Sequence, residues 1–383
     1  RMLLLVAETL HKENWRREFV DALGEERGNA LFSDVVVECY ASLEKYQNTC
    51  WDIIVADEAH HLRSEMRCDY IGSMSSDYFL GLSATLSCGG DADELVRVLE
   101  MTYGRFVTLD FNIQDAIDSG VLAEPKIYVH VLPLKDLKKP VEVVEEWGVM
   151  AKRKEYRTTY AERKTFLDKT AYPAARLVIV CTPKEAYDYY TECMEQWRRK
   201  TFNARKAAGI RDESQDTDQI KFMRNKYLHY STLRKGLLGK VKTTFSKKLL
   251  ASLAGKKYIC FCSDVAQGNE LGGDHVIYSD RNDGIKNADV INDFNDGRIS
   301  SLFAVNMIQE GQNLNGIQAG VVVQLGGKER QFIQKFGRAM RASCPEQHIV
   351  VLNGTRDIDY YKSAVSGIDK RFIIYETYGS LRH

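Results

Sequence analysis

The stretch WDIIVADEAHHL, residues 51–62, decides the fold of the first part of this chain. Its apolar run is typical of a strand buried on both faces, as in a parallel sheet. The run leads straight into two adjacent carboxylates, Asp57 and Glu58. Carboxylates at the end of a buried strand can hold Mg²⁺ through water and orient a water for attack on a phosphoryl group. Taken alone, the pattern fits a plain strand end with a polar turn at least as well.

Composition narrows the class of protein. The chain has 383 residues with 44% hydrophobic content, enough for two or three domains and more than one core. Lysine plus arginine equals aspartate plus glutamate, at 53 each, so any basic surface must be local. Nine cysteines without a C-x-x-C pair predict free thiols in a reducing compartment. No apolar run approaches the roughly 18 residues of a membrane span, and we expect a soluble protein.

The pattern of apolar runs predicts two lobes. Strand-like and helical stretches alternate along residues 1–125, which indicates an α/β lobe with a largely parallel sheet and ligands at the carboxyl ends of its strands. Residues 126–255 are charged and tyrosine-rich, and we assign them to an interlobe linker with a helical, basic segment. Residues 256–383 return to strand candidates separated by helices and predict a second parallel-sheet lobe. The predicted fold class is α/β.

Three further segments carry residues suited to phosphate chemistry. FLGLSAT, residues 79–85, puts hydroxyl groups at another strand end, where ordinary turn formers also occur. QKFGRAMR, residues 334–341, places Arg338 and Arg341 on one face of a helix. Paired guanidinium groups suit the charge of a phosphoryl-transfer transition state, although a solvated surface helix could carry the same pair. NMIQEGQNL, residues 306–314, contains a glycine turn that can approach a phosphate.

In this order, DEAH, SAT, EGQNL and QKFGRAMR resemble motifs II, III, V and VI of the superfamily 2 helicases and translocases. Each motif alone is weak, but four in order at plausible distances make coincidence a poor explanation. FNIQDAIDSGVLAEP and FNDGRISSLFAVNMIQEGQNL are most similar to the phage and bacterial branch of DEAD/DEAH-box-like helicases. The resemblance implies two RecA-like lobes, with ATP and Mg²⁺ in the cleft between them and nucleic acid across the top.

The resemblance also implies a role for each matched position. Asp57 would hold Mg²⁺ through water, and Glu58 would activate the attacking water. His60 would link the site to the other lobe, while Ser83 and Thr85 would couple hydrolysis to movement. Further matched positions are the catalytic Gln334, Arg338 and Arg341, the ATP-binding Gly311 and Asn313, and the nucleic-acid-binding Thr9, Ser42, Ser263 and Asn306, the last where the family commonly has threonine.

One element of the family is missing from this sequence. It contains no G-x-x-x-x-G-K-[S/T] loop, which wraps the nucleotide phosphates with backbone N–H groups. In the family this loop lies just upstream of the segment that matches LLLVAETL, and the chain opens on Arg1 directly before that strand. We therefore expect a lobe 1 that is incomplete at its N-terminus, poor ATP binding and turnover by the chain as it stands, and activity in the complete parent.

Residues 224–257 form a local basic excess, with ten lysines or arginines and no aspartate or glutamate. Interleaved aromatic residues, Tyr227, Tyr230 and Phe245, could stack on bases while the cations neutralise phosphates. An amphipathic helix that packs its leucine face on the second lobe would have the same composition, and both interpretations stay open. The nucleic-acid contacts predicted in this stretch are Lys240, Lys242, Lys247 and Lys248.

The predicted function is the motor core of an ATP-dependent helicase or translocase. The resemblance to the phage branch favours DNA over RNA as the substrate and implies the cytoplasm of a bacterial or phage-infected cell, while the residues themselves do not separate DNA from RNA. Two alternatives are a non-catalytic nucleic-acid-binding protein and the duplex-translocating motor subunit of a restriction or remodelling complex. The sequence does not indicate polarity, oligomeric state or protein partners.

Overall fold

The computed structural model describes residues 1–7, 10–83, 92–105, 107, 109, 113–210, 215–279, 284–305, 314–325, 345–365 and 368–377. These residues form a four-stranded, a three-stranded and a seven-stranded sheet with helices packed around them. The α/β class, with parallel sheets in both lobes, is confirmed.

Residues 2–103 form lobe 1, an N-terminal α/β unit. Its elements are β1 (Met2–Val6), α1 (Leu10–Leu23), α2 (Glu25–Ser33), β2 (Val35–Cys39), β3 (Cys50–Asp57), α3 (Glu65–Gly72), β4 (Ser75–Leu82) and α4 (Ala92–Tyr103). The strands are parallel, in the order β2-β1-β3-β4. Leu3, Leu4 and Leu5 are all fully buried, which explains why β1 is a continuous apolar run and not an alternating one. Strand β4 pairs only with β3 among the described strands and leaves Tyr78 and Leu80 exposed.

Residues 113–252 contain a middle region with a small sheet and two long helices. In chain order the elements are α5 (Ile113–Asp118), β5 (Lys126–Pro133), β6 (Val141–Trp147), β7 (Lys154–Thr159), α6 (Arg163–Phe166), β8 (Ala175–Cys181), α7 (Pro183–Ala208) and α8 (Asp218–Ser252). Strand β8 lies between β6 and β7, antiparallel to the first and parallel to the second. A capping box starts α7: the Thr182 hydroxyl accepts from the Glu185 N–H at 3.3 Å, and the Glu185 carboxylate accepts from the Thr182 N–H at 2.8 Å. The middle region therefore contains a sheet as well as the helices that the sequence predicted.

Lobe 2 is built on the seven-stranded sheet. Its remaining elements are β9 (Tyr258–Phe261), α9 (Val265–Gly272), β10 (Val276–Tyr278), α10 (Asn287–Asn295), β11 (Ser301–Val305), β12 (Ala319–Val322), β13 (Glu346–Asn353), α11 (Asp357–Ala364) and β14 (Ile373–Thr377). All pairs are parallel, in the order β10-β11-β9-β12-β13-β5-β14. Strand β5 lies inside this sheet, although its residues precede the predicted start of the lobe. Strand pairing is non-local, so an apolar run alone does not say which sheet it joins.

The middle region shares a hydrophobic core with lobe 2. One cluster of buried side chains joins Tyr190 of α7 and Leu250 of α8 to Val321 and Leu352 in the seven-stranded sheet. Lobe 1 has its own cluster around β1 and β3. The described cysteines are free, and no helix among the described residues is long and apolar enough to cross a membrane.

Two histidines pair inside lobe 2, on neighbouring strands β5 and β13. His130 Nε2 lies 3.0 Å from His348 Nδ1. Glu376 of β14 contacts His130 Nδ1 at 3.0 Å, and Glu346 lies 3.7 Å from His348 Nε2. Burial, with the neighbouring His130, lowers the pKa of His348 from 6.5 to about 4 against the opposing pull of Glu346.

Candidate functional site

Asp57 is held at the carboxyl edge of the lobe 1 sheet by two aromatic side chains. Its Oδ2 accepts a hydrogen bond from Trp15 Nε1 of α1 at 2.8 Å. Its backbone carbonyl accepts one from the Tyr40 hydroxyl, just after β2, at 2.6 Å. Sequence reasoning missed both residues as parts of this site, because Trp15 belongs to no matched motif and the resemblance gives Tyr40, in the segment that supplies Ser42, no role of its own. The bond from Trp15 orients the carboxylate, and the bond from Tyr40 holds the end of β3 in place.

The surroundings of Asp57 suit a bound cation. Burial raises the pKa of its carboxyl, the hydrogen bond from Trp15 and the nearby His11 counteract this, and the adjacent Glu58 adds to it. A partly buried carboxylate gains from a cation because its charge is poorly solvated. The described residues contain no group of three or more side chains able to hold a metal. Mg²⁺ fits such a site, since it binds through one or two carboxylates and takes its other ligands from water and phosphate.

Glu58 turns the chain sharply at the end of β3. Its backbone is left-handed, with φ 53 and ψ 52 degrees. For a residue with a side chain this conformation costs about 1–2 kcal/mol, and such strain is concentrated at functional sites. A short 3-10 helix, Ala59–Arg63, follows directly. The turn brings His60 back toward the end of β4.

His60 connects the predicted motifs II and III. Its side chain is 2% exposed. Its Nδ1 lies 3.1 Å from Ser83 Oγ and 3.2 Å from Glu58 Oε2. Nδ1 is within hydrogen-bonding distance of Ser83 Oγ, whereas Glu58 Oε2 contacts the same nitrogen without forming a hydrogen bond. One imidazole therefore touches both Glu58 and the end of β4. The acid pair, His60 and Ser83 therefore form one contiguous site at the carboxyl edge of β3 and β4.

Several predicted site residues fall outside the described residues. They are Thr9, Thr85, Asn306, Gly311, Asn313, Gln334, Arg338 and Arg341. Their roles, including the approach of the two arginines to the nucleotide, stay predictions.

Ser42 and Ser263 lie beyond the ends of strands, at the carboxyl edges of different lobes. Ser42 is half-buried in the 3-10 helix that follows β2. The Ser263 hydroxyl donates to Asp264 Oδ2 at 2.7 Å. Helix α8 crosses closely above Ser263, since a Cβ at Gly239 would collide with its hydroxyl. Both serines are where parallel sheets place ligand-binding loops, and their contact with nucleic acid stays a prediction.

Lys242 is wrong as a nucleic-acid contact, because it is fully buried. Its ammonium group lies 2.5 Å from Asp357 Oδ2 and donates to the carbonyl of Val323 at 2.8 Å and to Gln324 Oε1 at 3.0 Å. Burial lowers the pKa of Lys242, and the Asp357 carboxylate opposes that shift. The residue ties α8 to the end of β12 and to the start of α11, and solvent does not reach it.

The rest of the basic stretch follows the amphipathic-helix alternative. The buried face of α8 includes Leu237, Leu238, Leu249 and Leu250. Two of the predicted stacking residues are on that face: Phe245 is buried, and the buried Tyr230 donates from its hydroxyl to Glu145 at 3.0 Å. Both are therefore wrong as stacking partners for bases. The three remaining lysines are exposed, and one of them pairs with a glutamate at 2.9 Å; they are Lys240, Lys247 and Lys248, with Glu270 as the partner of Lys247.

Comparisons with known proteins found one matching sequence family and several similar solved structures. Residues 241–343 match the family model described as the helicase conserved C-terminal domain. No curated protein sequence matches significantly. The Hef helicase domain from Pyrococcus furiosus has a TM-score of 0.49, with 14% identity over 95% of this chain and 88% of its own.

Dbp5 from S. cerevisiae is also similar in structure. Bound to RNA and ADP with BeF3, it has a TM-score of 0.49, with 11% identity over 98% of this chain and 77% of its own. A Dbp5 variant bound to Gle1 and IP6 has a TM-score of 0.51, with 12% identity over 99% of this chain and 76% of its own. Residues 241–343 are therefore similar to a helicase C-terminal domain, and the chain is similar in fold to the Dbp5 variant structure.

Proposed function

We propose that this chain is the motor core of an ATP-dependent helicase or translocase that acts on nucleic acid, DNA rather than RNA. The observation that carries the proposal is the single buried imidazole of His60, which contacts both Glu58 and Ser83 beside Asp57. A plain surface turn would not place a buried histidine between Glu58, whose backbone is left-handed, and Ser83 at the end of β4. The match to the helicase C-terminal domain supports the same class of motor.

Each side chain of the described site has a distinct task in this proposal. Asp57, aligned by Trp15, holds the cation. Mg²⁺, when bound, supplies neutralisation of the phosphate charge. Glu58 accepts a proton from the attacking water as general base. His60 contacts both Glu58 and Ser83, so that a movement of the Glu58 side chain shifts the end of β4.

The other half of the proposed site rests on the resemblance. Gln334, Arg338 and Arg341 would face the nucleotide from lobe 2, with the arginines stabilising the charge of the transferred phosphoryl group. Thr85 would couple hydrolysis to movement together with Ser83. The proposed nucleotide contacts are Gly311 and Asn313, and the proposed nucleic-acid contacts are Thr9, Ser42, Ser263, Asn306, Lys240, Lys247 and Lys248. Because the sequence contains no phosphate-wrapping G-x-x-x-x-G-K-[S/T] loop, we expect little turnover from these 383 residues alone, and the test uses the full-length protein.

The test is Glu58→Gln in the full-length protein. We expect loss of nucleic-acid-stimulated ATP hydrolysis with retained nucleotide binding, since the amide cannot accept the proton but keeps the shape of the side chain. Glu65→Gln, at an exposed position at the start of α3, is the matched control and should leave turnover unchanged. Turnover that survives Glu58→Gln would remove Glu58 as the base. Strand-displacement and triplex-displacement assays then separate unwinding from translocation on duplex.

A further inference from the structure

A small basic pocket lies where the middle region packs on lobe 2. It has a volume of about 120 Å³ and is bounded by α7, α8, the end of β12 and the β13–α11 loop. Three of its lining residues are cations: Arg234 and Lys235 from α8, and Arg356 from the loop. None of the described residues that line it is acidic. The pocket therefore concentrates positive charge in a chain with no net charge.

Arg234 is a buried cation at the wall of this pocket. It is 7% exposed. Its Nη1 donates to Thr191 Oγ1 at 3.3 Å, and its guanidinium lies 5.6 Å from the ring centroid of Tyr187. Among the described residues it makes no ion pair with a carboxylate. A buried charge without a counter-ion is costly, and an anion in the pocket would offset that cost.

Lys235 and Arg356 are the exposed cations of the pocket. Arg356 has one distant acidic neighbour, Glu195, with 4.0 Å between Nη2 and Oε1. Its backbone N–H donates to the Tyr187 hydroxyl at 3.2 Å, which fixes the loop against α7. Below the pocket, Lys242 and the Asp357 carboxylate neutralise each other, so this pair adds no net charge.

We propose that this pocket binds one phosphate group. Guanidinium groups match phosphate oxygens in geometry and in charge. A volume of about 120 Å³ is well below the roughly 300 Å³ at which pockets for larger ligands begin. The space suits a single phosphate and not a whole nucleotide. The group could belong to a nucleic-acid backbone or to free phosphate, and the site goes beyond the proposed ATPase motifs.

The test uses the double variant Lys235→Gln/Arg356→Gln of the full-length protein, with two readouts. The first is fluorescence anisotropy with labelled single-stranded DNA and RNA of equal length at several salt concentrations. The second is the thermal unfolding midpoint with and without inorganic phosphate. The control, Arg199→Gln/Lys206→Gln, removes two exposed positive charges from α7 outside the pocket.

A backbone phosphate predicts about tenfold weaker oligonucleotide binding, with a salt slope shallower by about 0.7 for each lost contact. A free phosphate predicts unchanged oligonucleotide binding and loss of the phosphate-induced rise in the unfolding midpoint. Either result supports the site. If neither readout changes, or if the α7 control reproduces the change, the pocket does not bind phosphate. Both readouts work without ATP, so a negative result leaves the proposed hydrolysis untouched, and Glu58→Gln tests hydrolysis independently.

Discussion

Lys242→Met should strongly destabilise lobe 2 and the middle region. The substitution keeps a long side chain in place, so the cavity term is small. It removes the donor to Asp357, Val323 and Gln324 and leaves the Asp357 carboxylate at 0% exposure. Among the described residues, the Asp357 carboxylate then keeps two hydrogen-bond donors, the Gln324 amide at 2.9 Å and the Leu352 backbone N–H at 3.2 Å.

The expected loss is about 3–5 kcal/mol, the usual cost of removing one partner of a buried ion pair. This is a large share of the roughly 5–15 kcal/mol that stabilises a typical domain. Lys248→Met, at an exposed position on the same helix, is the matched control and should change stability by no more than about 0.5 kcal/mol. Adding Asp357→Asn to Lys242→Met should cost less than the sum of the two single changes, because the stranded charge is gone.

Equilibrium unfolding in urea measures these differences. Far-UV circular dichroism follows the helices, and intrinsic fluorescence combines Trp147 and Trp197 of the middle region with Trp15 and Trp51 of lobe 1. If Lys242→Met and Lys248→Met cost the same within about 0.5 kcal/mol, the buried pair does not hold α8 in place. The reasoning about Lys242 would then be refuted.

Three further changes test other parts of the structure. Trp15→Phe removes the hydrogen bond to Asp57, and in the full-length protein should raise the Mg²⁺ concentration for half-maximal ATPase activity; an unchanged value would contradict the role of Trp15. Gly239→Ala should destabilise by about 1–3 kcal/mol in urea because a methyl group has no room there, whereas Gly236→Ala, in open space on the same helix, should stabilise by up to about 1 kcal/mol. The lowered pKa of His348 keeps the imidazole neutral in the folded protein. Its contribution to the free energy of unfolding is therefore complete above pH 6.5 and is lost as the pH falls toward 4, by roughly 1.4 kcal/mol per pH unit. His348→Gln should flatten this pH dependence of the unfolding free energy measured in urea.

The position of Lys242 could have been derived from the sequence. It follows Leu238 by four residues and precedes Phe245 by three and Leu249 by seven, which is the spacing of one helix face. Counting charge along the stretch hid this pattern, because a sum over residues does not distinguish the faces of a helix. A lysine on a leucine face predicts a buried partner, but it does not say which acid will be that partner.

The sequence by itself determined the α/β class, the presence of strands in residues 256–383 and the position of Asp57 and Glu58 directly after a buried strand. These are local properties, set by runs of apolar residues and by the polar residues at their ends. Only the tertiary structure decided that β5 joins the lobe 2 sheet, that Trp15 and Tyr40 hold Asp57, and that His60 connects the acid pair to Ser83. Each of these contacts joins residues distant in the chain, and such pairings depend on the packing of whole elements and not on the neighbouring sequence.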